Sequence, residues 1–163
     1  MIKSGTGQAA ELFFDDMAIG TVFDLGIVDI DRDEMISFAQ RYDPQWYHVD
    51  VEAARASAYG DVIASGFYTA SLFMRAYADN LLSRAAADAS PGLEELRWTA
   101  PIYGGDRLAI SLEVLDAAPS ATKPNVGTLT LAATMTRLAT DRRPEAVAAR
   151  IRFRGWFARR LAE

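Results

Sequence analysis

The stretch that decides the fold is "SGFYTASLFMRAYADNLLSRAA" (residues 65–86), the longest helical pattern in the chain. Apolar side chains fill most of its circumference, namely Phe67, Ala70, Leu72, Phe73, Tyr77, Leu81 and Leu82. The polar residues Arg75, Asp79 and Ser83 are spaced four apart and form one narrow stripe, on which Arg75 and Asp79 can form an ion pair. A helix of this kind is expected to be largely buried, so a sheet must surround it.

Four stretches after this helix alternate apolar and polar residues, as half-buried antiparallel strands do. They are "GLEELRWTAPI" (92–102), "RLAISLEVLD" (107–116), "VGTLTLAATMTRLAT" (126–140) and "AVAARIRFRGWFAR" (146–159). The segments "YGGDR" (103–107) and "APSATKPNVG" (118–127) carry the Gly, Pro and Asn of turns. The alternation predicts a sheet with one apolar face, which can cover the long helix.

The segment before the long helix predicts one more strand, over about Thr21–Ile30, and a helix over about Arg32–Tyr42. Asp31 or Asp33 can cap this helix, because a carboxylate accepts hydrogen bonds from the free N–H groups of a first turn. The helix should end at Asp43, because a residue before proline disfavours the helical conformation.

The segment "DVEAARASAYG" (50–60) predicts a short helix that is capped by Asp50 and ended by Gly60. One strand, then helices, then a run of strands is typical of an α+β domain. We therefore expect a single domain over residues 1–163, with a flexible segment over residues 1–11, in which a curved antiparallel sheet wraps around one central helix.

Composition excludes several classes of function. The chain of 163 residues has no Cys and one His, which removes thiol nucleophiles, disulfides and metal sites built on Cys or on several His of one chain. A net charge of −5 argues against nucleic acid as the main partner. We find no signal peptide and no apolar run of the roughly 20 residues that span a bilayer, so a cytoplasmic location and no membrane partner are expected.

The only histidine lies in "DPQWYH" (residues 43–48), just after the predicted end of a helix. A carboxylate and an imidazole held close together can share a water molecule and transfer protons in either direction. Histidine is suited to this because its usual pKa lies near neutrality. Asp43 and His48 are therefore the candidate catalytic pair, on a loop that precedes the long helix.

The start of the long helix, "IASGFYT" (63–69), offers a second element of a site. Ser65 can act as the N-cap, and we expect the N–H groups of Gly66 and Phe67 to lack partners within the helix. Free amides at the positive end of a helix suit a developing oxyanion, and Gly66 allows a carbonyl to approach the backbone closely. This combination fits reactions that pass through an enolate, such as addition of water to an α,β-unsaturated thioester.

The stretches "FAQRYDPQWYHVDVEAARASAYGDVIASGFYTASLFMR" (38–75) and "LRWTAPIYGGDRLAISLEVLD" (96–116) resemble the MaoC-like dehydratases, which include R-specific enoyl-CoA hydratases. The resemblance runs from about Leu12 to the C-terminus and implies the hot-dog fold. The family motif is Asp, any residue, Asn, Pro, any residue, His, followed downstream by a helix that opens with Gly.

The resemblance implies that Asp43 and His48 bind and activate water, that the Gly66 amide holds the thioester oxygen, and that Ser65 lines the site. Gln45 stands where the family has Asn, and it keeps an amide with one more methylene. Trp46 stands at the proline position and could reshape the loop or fill part of the acyl pocket. Tyr47 and Tyr68 flank the site in the sequence, where aromatic side chains more often serve packing than substrate contact.

The implied function is hydration of a 2-enoyl-CoA thioester or dehydration of a 3-hydroxyacyl-CoA thioester, with no metal or redox cofactor and coenzyme A present only as part of the substrate. A homodimer or an assembly of dimers is implied as well. Two alternatives stay open, an acyl-CoA thioesterase and a non-catalytic acyl-CoA-binding module. The segment from Arg137 to Glu163 is basic, and its arginines could contact coenzyme A phosphates or form a solvated strand face.

Overall fold

The computed structural model describes residues 2–160. Five strands form one antiparallel sheet in the order β1-β3-β4-β5-β2. The strands are β1 (Val22–Asp29), β2 (Gly92–Trp98), β3 (Arg107–Pro119), β4 (Val126–Arg137) and β5 (Ala146–Ala158). The α-helices are α1 (Arg32–Tyr42), α2 (Trp46–Val49), α3 (Val51–Arg55) and α4 (Gly66–Tyr77), all between β1 and β2 in the chain, and a short 3-10 helix, Phe14–Asp16, precedes β1. The predicted α+β, hot-dog arrangement of one domain is confirmed.

The apolar face of the sheet forms most of the core. Alternate residues of the two central strands are buried, as their sequence pattern predicts: Leu108, Ile110, Leu112 and Val114 on β3, and Leu129, Leu131, Ala133 and Met135 on β4. The same alternation holds on β5, where Ile151, Phe153 and Phe157 are buried. Since successive side chains of a strand point to opposite faces, this pattern directs one face of the sheet toward the helices.

Helix α4 packs against this face through aromatic side chains. The Phe73 and Tyr77 rings lie 5.7 and 5.4 Å from the Phe153 ring of β5. Beyond α4, the Asn80 side-chain amide donates to the Leu25 carbonyl oxygen of β1 over 2.9 Å. The helical segment is therefore attached to the edge strand β1 and to β5, which lies next to the other edge strand.

Two expectations for α4 are corrected. The α-helix ends at Tyr77 and a π-helical turn, Ala78–Leu82, follows it, so residues 65–86 are not one regular helix. The helix is also less buried than its composition predicts, because Phe67 is 62% exposed and Met74 is 48% exposed. The physical reason is that the sheet of one chain covers only one side of the helix. The predicted ion pair of Arg75 with Asp79 is confirmed, at 2.5 Å.

The segment around His48 is more regular than predicted. His48 lies in the four-residue helix α2 and not in an irregular loop. Asp50 caps α3 as expected, but this helix ends at Arg55, well before Gly60. Asp31 is the N-cap of α1, since its Oδ1 accepts the N–H groups of Asp33 and Glu34 at 2.8 and 2.9 Å.

Several arginines near the C-terminus form ion pairs, two of them on the exposed face of β5 and two just after this strand. Arg152 and Arg154 both contact Glu94, at 3.1 and 2.6 Å, and their side chains are more than half exposed. Arg159 and Arg160 pair with Asp15 and Asp16, and the last three residues of the basic segment lie outside the described residues. The structure thus places Arg152 and Arg154 on a solvated strand face, whereas Arg137 is buried, and contact of any arginine with coenzyme A stays a prediction.

At the N-terminus, residues 3–9 make a small antiparallel bridge, and Gly5 and Glu11 donate backbone hydrogen bonds to the segment that follows the π-helical turn. The expected flexibility of residues 1–11 stays a prediction, and Met1 lies outside the described residues. Between residues 2 and 160, no helix is both long and apolar enough to cross a bilayer.

Candidate active site

The candidate pair is held by two helix ends. Asp43 directly follows α1, and its N–H donates to the Ala39 carbonyl oxygen over 2.8 Å. Pro44 prevents continuation of this helix. The chain resumes a helical course at Trp46, and His48 lies on the first turn of α2. The five-residue spacing from Asp43 to His48 thus brings the carboxylate next to the imidazole.

The Asp43 carboxylate accepts hydrogen bonds at both oxygens. The Ser65 hydroxyl donates to Oδ2 over 2.7 Å, and the Gln45 side-chain amide donates to Oδ1 over 2.7 Å. The hydrogen bond from Ser65, followed by that from Gln45 and by the nearby His48, holds the pKa of Asp43 below its usual value despite partial burial. Asp43 is therefore an ionised carboxylate at neutral pH.

His48 is buried, and its ring orientation is fixed by two contacts. Nδ1 lies 2.7 Å from the Ile63 carbonyl oxygen, and Nε2 lies 3.4 Å from Asp43 Oδ2. A carbonyl oxygen can only accept, so Nδ1 must carry a hydrogen. In the neutral imidazole Nε2 then carries a lone pair beside the Asp43 carboxylate, so a water molecule that donates to both acceptors can join them.

The start of α4 contributes a free amide to the cavity. Ser65 is the N-cap and its Oγ accepts the Phe67 N–H over 3.2 Å, so the expectation that the Phe67 amide is free is wrong. For the Gly66 N–H, no hydrogen-bond partner is found among residues 2–160. One amide, at the positive end of a twelve-residue helix, is thus available to an oxygen atom in the site.

A cavity of about 520 Å³ brings these groups together. Asp43, Gln45, His48 and Gly66 line it, whereas Ser65 is fully buried behind Asp43. The opposite wall comes from the loop after β2, Thr99–Ile102, and from Tyr59 and Trp98. The structure therefore assembles all five predicted site residues in one place, and their roles in a reaction stay a prediction.

Sequence reasoning missed Tyr59, Trp98 and the loop Thr99–Ile102, and of these Trp98 contacts the predicted site residue Gly66. Its indole N–H donates to the Gly66 carbonyl oxygen over 3.0 Å, and its ring lies against the Gly66 α-carbon. A β-carbon at Gly66 would lie 2.2 Å from Trp98 Cε2, so only glycine fits beneath the indole. The signal in the sequence was an aromatic residue at the end of a predicted strand. Its contact with Gly66 could not be read from the chain, because the two residues are 32 positions apart.

The three aromatic residues near the motif take different places. Tyr47 lines the cavity, and its hydroxyl donates to Gln45 Oε1. Tyr68 is buried away from the cavity, and its hydroxyl donates to Glu34 over 2.9 Å, in agreement with a packing role. Trp46 is half exposed and packs on Tyr47 outside the cavity lining, so it does not fill the pocket.

Comparison with known proteins identifies a family. The model of the MaoC like domain matches residues 16–136, most of the chain. The chain is 29% identical over 117 residues to the uncharacterized protein YdeM of Bacillus subtilis, an alignment that covers 72% of this chain and 82% of YdeM. It is 36% identical over 83 residues to 3-hydroxyacyl-thioester dehydratase Z of Mycobacterium tuberculosis, covering 50% of this chain and 55% of that enzyme.

Solved structures agree with this result. The MaoC-like dehydratase from Rhodospirillum rubrum superposes with a TM-score of 0.82 at 32% identity, over 93% of this chain and all of that one. The R-hydratase PhaJ1 from Pseudomonas aeruginosa superposes with a TM-score of 0.71 at 21% identity, over 95% of this chain and 94% of that one, and shows the shared fold. The chain belongs to the family of MaoC-like dehydratase domains.

Proposed function

We propose that this protein is a hydro-lyase that adds water to a 2-enoyl thioester and removes it from a 3-hydroxyacyl thioester. One observation carries the proposal: an Asp–His pair and a free helix-terminal amide line the same cavity. The reaction needs both features. A water molecule must be activated to attack C3, and the negative charge that develops on the thioester oxygen must be stabilised. The names of a dehydratase and an R-hydratase among its relatives support the same reaction class.

In the proposed hydration, a water molecule lies between Asp43 and His48 Nε2. The pair takes one proton of the water, the hydroxyl adds to C3, and the pair returns a proton to C2. The two groups interact closely, so their protonation steps belong to the pair rather than to either residue. Because only water is added, this reaction requires no redox cofactor.

The Gly66 N–H is proposed to bind the thioester oxygen. As C3 is attacked, charge moves onto this oxygen to give an enolate, and a fixed N–H stabilises the enolate more than the neutral carbonyl. The positive end of α4 acts in the same direction. Removing a single oxyanion donor in other enzymes costs about 100- to 1000-fold in rate. The Gly66 amide is therefore expected to supply a large part of the rate acceleration in the proposed reaction.

We further propose that the substrates are coenzyme A thioesters. We also propose that the chain forms a homodimer. The cavity mouth is bordered by Phe67 and by Trp98, both about half exposed or more, and β2 is a sheet edge with an unpaired side. Exposed apolar residues beside an unpaired edge favour association, because both are costly in water. Sedimentation equilibrium at several protein concentrations tests this point, and a monomer at all of them would contradict it.

The deciding experiment measures loss of the conjugated enoyl-thioester absorbance with crotonyl-CoA and with longer and branched enoyl-CoAs. The variants Asp43→Asn and His48→Ala should lose at least about 100-fold of the activity, as expected when a general acid or base is removed. Asp33→Asn is the matched control, because it makes the same chemical change at an exposed carboxylate on α1, outside the cavity lining.

Two further measurements on the same variants separate the alternatives. Release of free coenzyme A from a saturated acyl-CoA would indicate the thioesterase. Binding of acyl-CoA without turnover, unchanged by His48→Ala, would indicate a non-catalytic module. Absence of turnover with every enoyl-CoA, or activity that persists in both variants with an intact fold, would refute the hydro-lyase.

A further inference from the structure

A chain of hydrogen bonds connects the cavity wall to the catalytic carboxylate. The Tyr47 hydroxyl donates to Gln45 Oε1, and Gln45 Nε2 donates to Asp43 Oδ1 over 2.7 Å. Ser65 and His48 contact the other oxygen, Oδ2. Within residues 2–160, Oδ1 thus receives its side-chain hydrogen bond from Gln45, and the Gln45 amide is held at its far end by Tyr47.

The Gln45 amide has one productive arrangement. With Nε2 toward Asp43 and Oε1 toward Tyr47, each end of the amide meets a complementary partner. A flipped amide would bring Oε1 against the Asp43 carboxylate, and two acceptors repel each other. Gln45 is exposed, and fixing a long glutamine side chain in one arrangement costs conformational entropy. A second anchor at the amide oxygen offsets part of this cost.

Tyr47 can serve as that anchor because its own ring is fixed. The ring packs on the edge of His48 at 4.4 Å between centroids, and on Trp46 and Tyr59 at 5.3 and 5.7 Å. These contacts set the ring, and therefore the hydroxyl, relative to the imidazole of the pair. One residue thus touches His48 through its ring and reaches Asp43 through the Gln45 amide.

We infer that Tyr47 is a positioning residue, whose hydroxyl acts through Gln45 to hold the Asp43 carboxylate toward His48. The consequence for catalysis rests on the proposed function, whereas the effect on Asp43 itself does not. The longer side chain of Gln45 requires this anchor, because it places the amide farther from its own backbone. Trp46 contributes indirectly, by packing against the Tyr47 ring.

A double-mutant cycle tests whether Tyr47 acts through Gln45. Tyr47→Phe removes only the hydroxyl, and Gln45→Leu removes the amide at nearly the same size. Each single variant should lower kcat by roughly two- to tenfold, the range for one net hydrogen bond, with little change in KM. In the Gln45→Leu background, Tyr47→Phe should have no further effect. Additive losses would overturn the inference.

A measurement independent of turnover separates this inference from the proposed function. The Asp43 carboxyl is titrated by NMR with ¹³C-labelled aspartate and is assigned through Asp43→Asn. The titratable groups that face it are His48 and Tyr47 of α2 and, farther along the wall, Tyr59. Tyr47→Phe should raise the pKa of Asp43, because the donor that stabilises the ionised form becomes mobile.

Tyr42→Phe is the matched control. Tyr42 immediately precedes Asp43, is exposed, and lies outside the cavity lining. Its replacement should leave both kcat and the Asp43 titration unchanged. If Tyr47→Phe also leaves the titration unchanged, the inference fails, whatever the activity. If no enoyl thioester is turned over but the titration shifts in Tyr47→Phe alone, the positioning role stands and the hydro-lyase fails.

Discussion

The Ser65 hydroxyl joins the start of the central helix to the candidate carboxylate. Its Oγ accepts the Phe67 N–H over 3.2 Å as the N-cap of α4 and donates to Asp43 Oδ2 over 2.7 Å. Ser65 is fully buried, so neither bond competes with bulk water. One side chain thus fixes the helix end that presents Gly66 and the carboxylate that faces His48, and the two halves of the site cannot move independently.

Ser65→Ala should therefore affect stability and the site together. Loss of the cap should lower the free energy of unfolding by about 0.5–2 kcal/mol, measured by urea denaturation. The pKa of Asp43 should rise, because the hydrogen bond from Ser65 is the main cause that lowers it. Ser71→Ala, on the exposed side of the same helix, is the control. An unchanged Asp43 titration in Ser65→Ala would contradict this coupling.

Gly66→Ala should be destabilising only because of Trp98. The new β-carbon would lie 2.2 Å from the indole and force it away, at a cost of about 1–3 kcal/mol. Elsewhere in a helix the same change stabilises by up to about 1 kcal/mol. In a Trp98→Leu background the Gly66→Ala change should therefore be neutral or stabilising, as read from urea unfolding of all four proteins. Equal losses in both backgrounds would refute the steric explanation.

Tyr68→Phe distinguishes packing from substrate contact. The Tyr68 hydroxyl joins α4 to Glu34 of α1, away from the cavity, and burial together with Glu34 raises the pKa of its phenol. Removing the hydroxyl should lower the free energy of unfolding by about 1 kcal/mol, with KM for an enoyl thioester unchanged. A selective rise in KM would show that Tyr68 contacts substrate after all.

Acid should destabilise the protein partly through Asp61. Arg32 binds this carboxylate with two hydrogen bonds, of 2.9 and 2.7 Å, and holds its pKa below the usual value of 3.8. A lowered pKa contributes stability that is complete above the unfolded value and is lost as pH falls through the folded one. The free energy of unfolding should thus decrease below about pH 4.

The variants Asp61→Asn and Arg32→Gln should each reduce that loss between pH 5 and pH 3, measured by denaturant unfolding at each pH. Both remove the same interaction, so the double variant should resemble either single one. Because the pair is about one-third exposed, its contribution is that of a screened surface pair and is expected to be modest. A pH dependence identical to that of the wild type would exclude this pair as its source.

Local patterns in the sequence determined most of the elements that carry the site. The alternation along β3 and β4 and the Asp31 cap of α1 depend on neighbours a few residues apart, so they can be read from the chain. The spacing from Asp43 to His48 and the Ser65-Gly66 helix start indicated a carboxylate, an imidazole and an amide as candidate groups. The same residues indicated the MaoC-like family, and the match of the family model confirmed it.

Only the tertiary structure decided how these groups meet. Trp98 covers Gly66 from a strand 32 residues away, the Ser65 hydroxyl reaches Asp43 across 22 residues, and Phe67 remains exposed although its helix is apolar nearly all round. Such contacts depend on how the sheet curves around α4 and on which side it leaves open. A pattern of single residues specifies which face of an element is apolar, but the distance between two faces is set by packing of the whole domain.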